Sequence, residues 1–221
     1  MENALIIGAS GGIGSALADA LAGQGVQVTG LSRRADDLDI TDEVSVSNAM
    51  QALEGPYDLI FVATGGLEIS GFGPEKTIKD VTAAAMLAQF KLNTMGPALI
   101  LKHAQRLLPK DRRAVFAALS ARVGSIGDNQ LGGWYSYRTA KAALNQIVHG
   151  AAIELGRSHK QAICVALHPG TVATSLTQKY AGRHPTVSPD EAALNLIHVM
   201  NGLTPADTGG FFDWQGKRIP W

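Results

Sequence analysis

The sequence lacks most of the features that would place it in a secreted, membrane or nucleic-acid-binding class. A single cysteine among 221 residues excludes an internal disulfide. That residue, Cys164, lies in the apolar run 162–167 and reads as a buried strand position. No apolar run approaches the roughly 20 residues needed to span a bilayer. Met1, Glu2 and Asn3 open the chain without the basic region of a signal peptide, so a reducing cytoplasm is the expected location. Neither sign of charge is in excess: Lys plus Arg and Asp plus Glu each number 19. Without a global field, nucleic acid and anionic membrane surfaces are not expected as partners. Repeats, low-complexity tracts and a long Pro/Ser/Gly linker are also missing, which leaves residues 1–221 as one expected domain. No metal site is expected.

What the chain does have is 46% hydrophobic against 17% charged residues, enough for a sizeable core. Apolar runs predict strands at 4–7, 26–31, 57–63, 114–119 and 162–167. Helical stretches are predicted at 15–21, 42–53, 79–108, 134–157 and 189–201. Such alternation implies an α/β fold: a Rossmann-like, doubly wound parallel sheet flanked by helices in three layers. Between residues 34 and 39 there is no room for a helix, so the crossover there is expected to be short or nonhelical.

Two local patterns carry chemistry. Tyr137 and Lys141 are four residues apart in a predicted helix and share a face. A free Tyr titrates near ~10, too high for proton exchange at neutral pH unless its phenolate is stabilised. A cation at about 4 Å in an effective dielectric of about 20 contributes roughly 4 kcal/mol, which suffices. A surface pair with the Lys stem along the ring is the plain alternative. The second pattern is the glycine-rich turn Gly8, Ala9, Ser10, Gly11, Gly12, Ile13, Gly14 between the first strand and first helix. It could let backbone amides approach a pyrophosphate, although glycines also serve tight turns. The second strand ends in Ser32, Arg33 and Arg34, where an NAD site would place an acid. Guanidiniums there suit a 2′-phosphate and favour NADP(H) over NAD(H); the alternative is a solvated basic turn offset by Asp36 and Asp37.

Taken together, GASGGIG after the first strand, Asn93-Thr94-Met95-Gly96 in a long helix, YRTAK, and His168-Pro169-Gly170 after a later strand resemble the short-chain dehydrogenase/reductase family. The stretch GSIGDNQLGGWYSYRTAKAALN and the terminal Phe211-Phe212-Asp213-Trp214 look most like its small carbonyl-reductase or C-factor-like members. The resemblance implies an oxidoreductase that moves hydride between a nicotinamide and a carbonyl or secondary alcohol. Tyr137 would be the acid/base. Lys141 would lower the Tyr pKa and bind the nicotinamide ribose, and Asn93 would interrupt its helix and hold a relay water. Cofactor contacts would come from Gly8, Ser10, Gly12, Ile13, Gly14, Ser32, Arg33 and Arg34. Asp39 and Ile40 resemble the adenine-contacting pair, although Asp39 also reads as a turn before Thr41. Ala63, Thr64 and Gly65 would contribute backbone contacts. Pro169, Gly170, Val172 and Thr174 resemble the segment that fixes the carboxamide, although a structural turn after a strand is also open. A homodimer or homotetramer is implied through the helices at 79–108 and 134–157.

Two departures stand out. The family's substrate-polarising serine falls at Ala121, leaving Ser120 one step earlier and Ser125 in the next loop as candidates, Ser120 ranked first. The segment Val62-Ala63-Thr64-Gly65 lacks the asparagines usual there. Ala121 leaves a rival open: an NADP(H)-binding regulatory or signalling protein with weak or no catalysis. Trp134, Tyr135 and Tyr180 could line a substrate pocket or pack a helix face or seam. Residues 175–187 leave only a short cover over the site.

Overall fold

The computed structural model describes residues 1–174 and 186–221. Six parallel strands form one sheet: β1 Asn3–Ile7, β2 Gln27–Leu31, β3 Leu59–Val62, β4 Ala114–Leu119, β5 Ala162–His168 and β6 Phe211–Asp213. Their order is β2-β1-β3-β4-β5-β6. Strands β3 and β4 are buried at every position because helices cover both faces, which is why they read as unbroken apolar runs. The period-two alternation sorts their side chains into two cores. Ile60, Val62, Phe116, Ala118 and Cys164 pack with α3 (Glu43–Gln51), α5 (Gly96–Ala104) and α6 (Tyr135–Ser158). Phe61, Val115, Ala117, Ile163 and Val165 pack with α1 (Gly12–Gly23) and α7 (Pro189–Gly202).

Three features differ from the sequence expectation. β6 was not expected: it is only three residues long, but Phe211 enters one core and Phe212 the other. The crossover after β2 does hold one turn of helix, α2 Arg33–Asp36, which Asp37 closes in the left-handed region at φ 53°. The continuous helix expected at 79–108 is broken. Val81 is extended, and Thr82 caps a new helix, α4 Ala83–Phe90, by accepting from the Ala85 amide. A wider, π-type turn follows at Lys91–Met95 before α5 begins. Pro97 supplies the physical reason. It has no N–H for the Asn93 carbonyl four residues back, and its ring would crowd that carbonyl in an ordinary α-turn.

The chain leaves β1 toward one edge for β2 and returns on the other side for β3, so the crevice of the doubly wound sheet opens at the carboxyl ends of β1 and β3. Gly96 brings the broken helix against that edge, since a Cβ there would lie 2.5 Å from Ile40 Cδ1. Gly96→Ala is therefore expected to destabilise by about 1–3 kcal/mol in urea unfolding. Gly156→Ala, where a Cβ meets nothing within 4 Å, is expected to be neutral or stabilising. Equal effects of the two would contradict this packing.

Candidate active site

Two adjoining cavities lie along the carboxyl ends of the strands. The larger, about 770 Å³, is lined among others by Gly8, Ser10, Ser32, Arg33, Asp39, Ile40 and Thr64. The smaller, about 270 Å³, is lined by Gly12, Ile13, Ser120, Ala121, Tyr137 and Lys141, and beyond them by His168, Pro169, Val172 and Thr174. Gly11, Ala63, Thr64 and Gly65 belong to both walls. Gly8 turns the chain out of β1 at φ +90°, and a Cβ on Gly14 would run into the Gly8 carbonyl, so helix α1 starts flush against the strand end. Gly14 thus shapes the loop without lining either cavity.

The basic end of β2 is narrower in function than the sequence reading. Ser32 spends its hydroxyl as the α2 cap, accepting from the Ala35 amide at 3.2 Å and donating to Asp36 Oδ2 at 3.3 Å. Arg34 is exposed and lines neither cavity. Arg33 is the β2-end cation on the wall, which Lys91 also lines, and it makes no close ion pair among the described residues beyond its electrostatic effect on Asp39. Asp39 serves both readings. Its carboxylate accepts from the Thr41 amide at 2.8 Å and hydroxyl at 2.7 Å, which with nearby Arg33 holds it below its ordinary value, and it also lines the larger cavity.

The structure brings Tyr137 and Lys141 together, but not as the simple ion pair of the spacing argument. Lys141 Nζ stands 5.8 Å from the centroid of the Tyr137 ring and donates to the Leu119 carbonyl at 2.8 Å. Gly124 lets the β4–α6 connection press against the lysine, since a Cβ there would lie 2.8 Å from Lys141 Cβ. Burial pushes Lys141 down to about 7 and pushes Tyr137 above its ordinary value. The expected lowering of the Tyr is not what this arrangement gives. Dehydration is the cause of both shifts, each disfavouring the charged form. Asn93 is fully buried and lines neither cavity. Its Oδ1 accepts from the Gly66 amide at 3.1 Å, while Nδ2 donates to the Gly66 carbonyl at 2.9 Å and to Gln89 Oε1 at 2.6 Å.

Of the two serine candidates, only Ser120 reaches the smaller cavity, and its hydroxyl donates to Asn145 Oδ1 at 2.6 Å on the α6 side. Ser125 is turned away, donating to the Pro220 carbonyl and accepting from the Asp128 amide. Ala121 forms part of the cavity wall with no hydroxyl. Trp134 meets the Tyr137 ring edge-on at 6.3 Å, and neither it nor Tyr135 lines either of these two cavities. Tyr180 lies outside the described residues. One contributor has no sequence signature. The buried carboxylate of Glu75 accepts from both the amide and the hydroxyl of Ser136 and so caps the start of the Tyr137 helix. An isolated acid in a long loop gives no periodic or motif signal. Among the described residues no cluster of His, Cys, Asp or Glu could hold a metal, and no helix is long and apolar enough to cross a membrane.

The lysine gives a pH signature. Its folded pKa, about 7, is below its ordinary 10.5, so between about pH 7 and pH 10 the unfolded chain carries a proton that the folded chain has released. Stability of the ligand-free protein should therefore rise with pH across that window, by up to about 4 kcal/mol. In Lys141→Met that rise should disappear. Urea unfolding at pH 7 and pH 9.5 measures it, and parallel slopes in the two proteins would show that Lys141 stays charged when folded.

Comparison with known proteins identifies relatives of the chain. A family model described as enoyl-(acyl carrier protein) reductase matches residues 8–209. A 1-hydroxy-2-glutathionyl-2-methyl-3-butene dehydrogenase of Rhodococcus sp. (strain AD45) is 38% identical over 133 residues, covering 60% of this chain and 57% of that protein. The C-signal protein of Myxococcus xanthus is 32% identical over 176 residues, 78% of this chain and 98% of its own. The NADPH-bound carbonyl reductase from chicken fatty liver superposes with a TM-score of 0.81 over 100% of this chain and 94% of that one; at 23% identity the likeness speaks for the fold alone. With the glycine turn, the Tyr137–Lys141 helix and the parallel sheet in place, the chain belongs to the short-chain dehydrogenase/reductase family of NAD(P)-dependent oxidoreductases.

Proposed function

We propose that the protein is an NADP(H)-dependent reductase of small carbonyl compounds, able in principle to run in reverse on secondary alcohols. The observation that carries this reading is the convergence of Tyr137 and Lys141 with the Gly8–Gly14 turn, Thr64 and the Pro169–Thr174 segment on one continuous crevice. The crevice fits a dinucleotide on its own terms. Gly8 and Gly11 present bare backbone on its wall, and Thr64 Oγ1 is buried there without a hydrogen-bond partner. Gly8, Ser10, Gly12, Ile13, Ala63, Thr64 and Gly65 would hold the phosphates and adenosine, Asp39 and Ile40 the adenine. Arg33 would take the 2′-phosphate, and Pro169, Val172 and Thr174 the carboxamide. The bound nicotinamide would supply the hydride.

The chain's own residues would handle the proton. Because burial keeps the Tyr137 phenol protonated, it is prepared to donate to the carbonyl oxygen as negative charge develops there. Lys141, titrating near neutrality and anchored on the Leu119 carbonyl, would return a proton to Tyr137 through an intervening hydroxyl or water. Asn93 would serve from behind, where Pro97 leaves its carbonyl without the usual amide donor, by holding a water that feeds Lys141. The exposed Met86, Leu87 and Phe90 of α4 and Ile147 and Ile153 of α6 support assembly into a homodimer or homotetramer.

A second reading, an NADP(H)-binding signalling protein with little turnover, is favoured by Ala121, by the engagement of Ser120 with Asn145, and by the similarity to C-signal. Reduction of 4-nitrobenzaldehyde, isatin and 9,10-phenanthrenequinone with NADPH separates the two. Turnover that falls at least about 10³-fold in Tyr137→Phe is expected for the reductase; tight NADPH binding without Tyr137-dependent turnover favours the second reading. For the cofactor, Arg33→Ala should weaken NADPH at least tenfold more than NADH, and an equal loss for both would sink the 2′-phosphate assignment.

A further inference from the structure

The smaller cavity lacks the hydroxyl that would polarise a substrate carbonyl, yet it contains a polar side chain with nothing to bind. His168 lines it, and His168 Nδ1 is buried without a hydrogen-bond partner. β4 and β5 pair in register through Leu119 and Leu167, and the Ser120 amide donates to the Leu167 carbonyl, so His168 lies beside Ser120 at the sheet end. Ser120 has given its proton to Asn145, Ser125 is tied to Pro220, and Ala121 has none to give. Among the described residues, His168 and Thr64 are thus the two of this wall with a buried polar atom that has no partner, and of the two it is the imidazole that lies beside Ser120 at the sheet end, in the pocket that holds Tyr137 and Lys141.

We propose that His168 Nε2–H is the hydrogen-bond donor to the substrate carbonyl oxygen, standing in for the hydroxyl missing at Ala121. The proposal rests on the reductase reading above. A neutral imidazole carries one N–H, and a proton on Nδ1 would be a buried donor without an acceptor, which is costly. The proton therefore belongs on Nε2, the nitrogen left to reach the cavity. Burial, with the Arg122 guanidinium adding to it and Asp213 partly opposing, holds His168 at about 4, so the ring is neutral throughout the physiological range. During reduction, hydride adds to the carbonyl carbon, the C–O double bond becomes single, and the oxygen takes the Tyr137 proton. His168 keeps its own proton and lends only a hydrogen bond to the oxygen.

Steady-state reduction of 4-nitrobenzaldehyde by NADPH tests this in His168→Leu, His168→Gln and His168→Leu/Ala121→Ser, with NADPH affinity followed by fluorescence as a check on folding and cofactor binding. His168→Leu should lose roughly 10²-fold in kcat with NADPH affinity unchanged, on the scale of one oxyanion donor. His168→Gln, which keeps an N–H near the Nε2 position, and Ala121→Ser in the Leu background should each recover at least tenfold. Long-range proton–nitrogen NMR of histidine-labelled protein should show His168 as the Nε2–H tautomer. Tyr137-dependent turnover that His168→Leu leaves within twofold of wild type overturns the proposal alone. So does a loss that neither rescue repairs, or a proton found on Nδ1. Turnover that survives Tyr137→Phe overturns the reductase reading and this proposal with it.

Discussion

The pair of hydrogen bonds from Asn93 to the two backbone groups of Gly66 is the contact on which the site depends. It fixes the chain just beyond β3 to the wide turn between α4 and α5, so the sheet edge and the helical layer keep one spacing. Gly65, one residue earlier, lies between Asn93 and Lys141: a Cβ there would be 3.0 Å from Asn93 Oδ1 and 3.4 Å from Lys141 Nζ. The next side chain on the turn, Thr94, donates to the Ala140 carbonyl at 2.7 Å and joins the same turn to the helix bearing Tyr137. A misplaced turn would displace the glycine strand end and the Tyr137 helix together. The Thr94 bond is buried and the Asn93 side chain fully so, and there an unmade partner costs more than a made one contributes.

The parallel sheet was legible in the sequence because its central strands are buried on both faces and therefore read as unbroken apolar runs; residues 114–119 match β4 without adjustment. β6 was not legible, because three residues carry too little periodicity and Phe211-Phe212 could equally have been part of a loop. The long helix failed for a different reason. Residues 79–108 keep helical character almost throughout, and what breaks them is the local chemistry of Thr82 and Pro97, which an amphipathic pattern averages away. At the site, residue types were readable and states were not. Spacing placed Tyr137 near Lys141, but whether the lysine lowers the phenol depends on dehydration, which only the packing of Gly124 and Leu119 around it reveals. The sequence likewise marked Ala121 as a departure. That Ser120 is engaged by Asn145 follows from an α6 residue 25 positions away, a separation no local motif spans.

The crevice divides its work by polarity. The large cavity faces exposed Arg33 and a turn-stabilised Asp39, where charge is solvated and inexpensive. In the small one, Lys141, Tyr137 and His168 are all driven toward their neutral forms by burial. A site of that kind has few countercharges of its own, so charge arising on a reacting atom is felt strongly and the few available N–H and O–H groups matter individually.

Glu75 gives the loop after β3 a mechanical role. Its carboxylate holds the Ser136 amide and hydroxyl, while its backbone carbonyl accepts from the Trp134 amide at 2.6 Å, so one loop residue secures the left-handed entry and first turn of α6. The same loop contributes Ile69, Ser70 and Phe72 to the wall of the large cavity. Residues 66–77 thereby join the wall of the outer chamber to the anchor of the Tyr137 helix through one short length of chain.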